Sequence, residues 1–198
     1  MTLVERMMAL ARLSLENPRQ GARALLAEDV PMPARTGGLL LVAVVSALLA
    51  SIQGGAQSEA LDPVSAFLLS GPIRAAAIQW LFLALTVVLI NSVGRAFGGT
   101  GSFSDALLVV VWLQFMMLAL QLVQLVAFML SPSLAGIIGL IGLVMFFWLM
   151  SSFIAELHGF SSRGLVFVGI IAVTIATGLV IGIGVIAVVG PEVFLTNV

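Results

Sequence analysis

The chain has 198 residues, 61% of them hydrophobic and only 9% charged, with a formal net charge of −1 and no cysteine. A soluble domain is on average about 45–50% apolar and about 25% charged, so lipid must solvate much of this surface. The charge balance excludes a basic face for nucleic acid. The absence of Cys excludes disulfides, thiolate metal sites and Cys nucleophiles.

Residues 2–16 read as an amphipathic helix. At 100° per residue Leu3, Val4, Met7, Met8, Leu10, Ala11 and Leu15 share one side, and Glu5, Arg6, Arg12 and Glu16 the other. Such a helix lies in the headgroup region or packs on the loops of its own protein, and both place it at the membrane surface. The charges within these residues also argue against a cleavable signal. Asn17 before Pro18 is a helix-start signal, which opens a second short helix reaching about Glu28. Pro31 and Pro33 predict an extended linker over Val30 to Pro33.

Five apolar stretches follow, at about residues 38–56, 73–93, 105–130, 134–155 and 164–189, none with a charge near its middle. About 20 helical residues at about 1.5 Å each cross a hydrocarbon layer roughly 30 Å thick. The expected fold is an all-α integral membrane protein, with residues 1–35 as a surface segment and 36–198 as a five-helix transmembrane domain. Asp62 before Pro63 predicts a short helix through Leu69 between the first two spans. Ser131, Pro132 and Ser133 predict a tight turn that makes spans three and four an antiparallel hairpin. Arg6, Arg12, Arg19, Arg23, Arg35, Arg95 and Arg163 fall on one side of this layout. Arg74, Glu59, Asp62 and Glu192 fall on the other. The positive-inside rule then sets the N-terminus in the cytoplasm and the C-terminus in the periplasm of a bacterial inner membrane.

Few constellations could carry chemistry. The loop Gly98, Gly99, Thr100, Gly101, Ser102 is rich in glycine, but it lacks the Lys of a phosphate loop and the strand before it. Ser102 reads as an N-cap with Asp105 at N3 as its acidic partner, and a turn-and-cap role outweighs anion binding. In span three Gln114, Gln121 and Gln124 occupy one broad face, with Gln79 and Asn91 as further polar groups in span two. Amides in lipid need partners, so this face is expected to point inward. There it serves as interhelical hydrogen-bond glue or, as the alternative, as a polar pathway. Glu156 and His158 end span four, with Arg163 beyond them. Two residues apart on a helix they point in different directions, and they are too few for a zinc site. A structural or docking role outweighs catalysis. Small residues form stripes in span four (Gly136, Gly139, Gly142) and span five (Thr174, Gly178, Gly182). These suit close helix packing within the bundle or self-association. No catalytic set, metal site or cofactor site is expected.

Three segments resemble the bacterial branch of the Yip-one domain family of Ypt/Rab-interacting multi-pass membrane proteins. They are NPRQGARALL before span one, FGGTGSFSDALLVVVW entering span three, and WLMSSFIAELHGFSSRGL running from span four into span five. The resemblance implies a five-helix membrane bundle without enzymatic activity. The eukaryotic relatives work in vesicle trafficking with small GTPases. This chain contains no Tyr and so lacks their acidic, tyrosine-bearing motif, which argues against GTPase binding. The expected function is membrane organisation or protein interaction, with the lipid bilayer, other membrane proteins or a second copy as partners. The alternative is a small passive transporter or channel using the glutamine face.

Overall fold

The computed structural model describes residues 2–55 and 71–189, and every regular element among them is a helix. Two short helices come first, α1 (Leu3–Glu16) and α2 (Pro18–Leu26). Five long ones follow: α3 (Met32–Gly55), α4 (Pro72–Ala96), α5 (Phe103–Leu130), α6 (Pro132–His158) and α7 (Arg163–Val189). All five are long and apolar enough to cross a membrane. The short helix expected between Asp62 and Leu69, Glu59, and Glu192 near the C-terminus lie outside the described residues.

Local chemistry sets most boundaries. Thr2 and Glu5 form a reciprocal capping box at the start of α1: Glu5 N–H donates to Thr2 Oγ1 at 3.2 Å and Thr2 N–H to Glu5 Oε2 at 2.8 Å. Asn17 closes α1 and caps α2, with Pro18 in its first turn. Gly159, at φ 72°, is the left-handed residue that ends α6. Two expectations need correction. The extended linker is shorter than expected, because α3 already starts at Met32 and takes Pro33 into its first turn, where a missing N–H costs no helical bond. The hairpin between spans three and four is tighter as well. Ser131 alone separates α5 from α6, and Pro132 is already helical.

The bundle is built around α5. It packs against α3, α4 and α6, while α7 lies along α6 and makes no extended contact with α4. Half of the most apolar stretch of α5 is buried, against 6% for α7. One core cluster joins α3, α4, α5 and α6 through residues such as Leu39, Ala43, Val87, Val110 and Ile154. A second lies beneath the N-terminal helices, where Ala22 and Leu25 of α2 meet Val109, Trp112, Leu149 and Phe153. Water reaches that end of the bundle, so burying Leu25 there contributes about 1.5–3 kcal/mol.

The apolar side of α1 divides in two. Met7, Leu10 and Ala11 pack on the second cluster with the fully buried Ser14. Leu3, Val4, Met8 and Leu15 stay exposed beside this seam. The close approach of α1 to α2 requires Gly21, where a Cβ would fall 2.6 Å from the Ser14 Cα.

The hairpin geometry predicts opposite sidedness for its two ends. The chain has no native Cys, so single Thr100→Cys and Ser133→Cys variants can be labelled with an impermeant maleimide in sealed vesicles. One position should react from each side of the membrane, which labelling before and after permeabilisation will show.

Candidate functional site at the arginine-rich end of the bundle

The ends of α4 and α6, the starts of α5 and α7, and the α1–α2 hairpin meet at one end of the bundle. His158, only 2% exposed, is its centre. Gly101 N–H donates to Nδ1 at 3.2 Å, so Nδ1 is the acceptor nitrogen and the proton sits on Nε2. Nε2 then donates to the Ile90 carbonyl of α4 at 3.0 Å. One neutral imidazole thus ties the end of α6 to both α4 and the loop into α5. Phe160 stacks on it, with ring centroids 5.6 Å apart.

The glycines of this region serve space more than flexibility. A Cβ at Gly94 or Gly99 would overlap the imidazole, and one at Gly101 would come within 2.9 Å of it. Gly98 answers to conformation instead, with φ 84° and open space around it. The loop is therefore a cradle for a protein side chain. Its cap works as the spacing indicates: Asp105 N–H donates to Ser102 Oγ at 3.2 Å, and the Ser102 hydroxyl donates to Asp105 Oδ2 at 2.6 Å.

Arginines fasten the hairpin and the linker to this junction. Glu156 turns away from His158, as its spacing requires, and accepts from Arg23 of α2 at 2.8 Å. Arg19 Nη2 donates to the carbonyls of Phe160 and Ser161 at 2.9 and 2.8 Å. Arg35, buried along most of its side chain, donates to the Ser104 carbonyl at 2.6 Å and to Asp105 at 3.1 Å. Beneath α1, Trp112 Nε1 donates to Ser14 Oγ at 3.1 Å. The sequence reading missed these ties. One of them left a trace, since Ser14 interrupts the apolar side of α1. Arg163 forms no ion pair among the described residues.

The intramembrane amides do not converge. Gln114 donates to Ser46 of α3 at 3.0 Å, and Gln124 to the Ala135 carbonyl of α6 at 3.2 Å. Gln79 and Gln121 make no hydrogen bond among the described residues, and Asn91 Oδ1 is buried without a partner. The small-residue stripes also divide. Gly139 and Gly142 meet Gln124 and Leu120 of α5 closely, whereas a Cβ at Gly136, Gly178 or Gly182 would touch nothing within 4 Å. Thr174 and Gly178 instead line an open groove. Packing within the bundle therefore accounts for Gly139 and Gly142, and not for Gly136 or the stripe of α7. No group of three or more His, Asp or Glu among the described residues could hold a metal ion.

The model of the Yip1 domain family matches residues 13–184, from the last turn of α1 into α7. The chain belongs to the Yip1 domain family. The match spans the residues around His158, α2 and all the candidate membrane spans of this Yip1-domain protein. No curated protein and no solved structure matches the chain.

Removing the imidazole orphans the Gly101 N–H in a buried site, a cost of about 1–3 kcal/mol. His158→Ala and Gly99→Ala should therefore both lower the unfolding temperature in detergent. Gln121→Leu, which breaks no bond, should change stability by less than about 0.5 kcal/mol. Trp112→Phe should cost about 1 kcal/mol, and combining it with Ser14→Ala should add little to either change alone, as a double-mutant cycle will report.

Proposed function

We propose that this Yip1-domain protein is a non-enzymatic, multi-pass protein of a bacterial inner membrane that organises the membrane or holds a protein partner through its cytoplasmic end. The observation that carries the proposal is the fixed α1–α2 hairpin. Arg23, Arg19 and Trp112 hold it on the ends of α5 and α6, while Leu3, Val4, Met8 and Leu15 remain exposed on α1. A surface helix held rigidly with an unpaired apolar strip suits docking to lipid or protein. Seven arginines at or before this end against Arg74 at the other support a cytoplasmic N-terminus. The Yip1 family is not a known enzyme family, and His158 spends both ring nitrogens on backbone groups, which leaves none for proton transfer.

Passive transport along the glutamines has less support. Gln114 and Gln124 use their amides to tie α5 to two different neighbours. In this reading they act as glue worth about 0.6–2 kcal/mol each.

The test is crosslinking and affinity purification of the full chain from native membranes in mild detergent. A reproducible partner should be retained by the intact protein and lost when Val4, Met8 and Leu15 are all replaced by Ser, with Ser14 and Gly21 untouched. A saturable solute flux in liposomes that disappears when Gln114, Gln121 and Gln124 become Leu would overturn the proposal in favour of transport.

A further inference from the structure

α4 and α7 stand on either side of α6 with no extended contact between them, and the space between them is a groove of about 760 Å³. Met150 and Ile154 of α6 form its floor, and its walls are apolar along most of their length. From Leu165 to Ile181 the α7 wall runs about 24 Å at about 1.5 Å per residue. Half of a hydrocarbon layer is roughly 15 Å deep, so the groove is long enough for an acyl chain lying lengthwise.

The mouth at the arginine-rich end has a different character. Ser161 and Ser162 line it, and Ser162 Oγ accepts from Leu165 N–H at 3.3 Å at the start of α7. Arg163 lies on the same face of α7 as Ile170, Thr174, Thr177 and Ile181, all of them groove residues. It forms no ion pair among the described residues. Arg19 reaches the same place from α2. It donates to Phe160 and Ser161, it has no carboxylate partner among the described residues, and its Nε is buried without a hydrogen-bond acceptor. Glu156, the carboxylate on the adjoining turn of α6, is already paired with Arg23. Two guanidinium charges and the positive end of a long helix thus meet at one end of a hydrocarbon-lined trough. The complementary molecule has an anionic head and an apolar tail.

We propose that the α4–α7 groove binds an anionic glycerophospholipid from the adjacent leaflet, its acyl chain between Val173 and Leu89 and its phosphate at Arg163 and Arg19. The inference is independent of any protein partner and goes beyond the scaffold reading.

The experiment is native mass spectrometry of the full-length protein in detergent, with equal amounts of dioleoyl phosphatidylglycerol and dioleoyl phosphatidylcholine. The phosphatidylglycerol adduct should dominate. Arg163→Gln should reduce that preference about five-fold, the effect of one basic residue near an anionic surface, without reducing total lipid binding. Gly178→Leu should reduce adducts of both lipids, since a side chain there meets no protein atom and enters the groove. Unfolding temperatures of both variants near that of the parent would establish that the fold is kept. Equal binding of the two lipids, or a preference that survives Arg163→Gln, overturns the proposal. Loss of a dimer in Gly178→Leu with lipid adducts unchanged also overturns it, by assigning the groove to a second copy.

Discussion

Lipid solvates the flank of an apolar helix about as well as another apolar helix does, so hydrophobic burial cannot by itself choose which helices pair within a bilayer. Close packing of small residues and directional bonds make that choice, and here most of the bonds gather at the arginine-rich end of the bundle. His158 is the most demanding of them. It reads the Ile90 carbonyl with one nitrogen and the Gly101 N–H with the other, so it fixes the position of α6 against α4 and against the entrance of α5 together. The glycines follow from this constraint, since any side chain at Gly94, Gly99 or Gly101 would occupy the space of the ring.

The arginines extend the same logic outward. Arg23 and Arg19 anchor α2 on the end of α6 and the loop beyond it, and Arg35 anchors the start of α3 on the cap of α5. An exposed ion pair contributes only about 0–1 kcal/mol. The pair at Arg35 is better placed, because its guanidinium is largely buried and also holds two backbone carbonyls. The hairpin therefore rests on the membrane domain as a fixed part of it. This is the physical basis for reading it as a docking element.

Much of the architecture was legible in the sequence because its determinants are local. Length and hydropathy reveal the spans, Asn17–Pro18 reveals the break between α1 and α2, and Ser102 with Asp105 reveals the start of α5. Pro33 misled because proline marks both a linker and a first helical turn, and only the neighbouring packing separates the two. The junction itself could not be read. His158 finds Ile90 and Gly101 across long stretches of chain, and Trp112 finds Ser14 across a longer one. The glycine loop and the His158 segment were both visible as motifs, but nothing local says that one receives the other. Spacing of small residues on α7 shows where a helix can be approached closely, not that a helix of the same chain does so.

The turn between α5 and α6 has a consequence for how freely the bundle can rearrange. Ser131 alone reverses the chain, and it also caps α6 by accepting from the Leu134 N–H. A connection this short ties the end of α5 to the start of α6, so neither helix can slide along the other by a turn without breaking the cap. The shared face where Gly139 and Gly142 receive Gln124 and Leu120 inherits its register from that single residue, and α7 meets the pair as one wall.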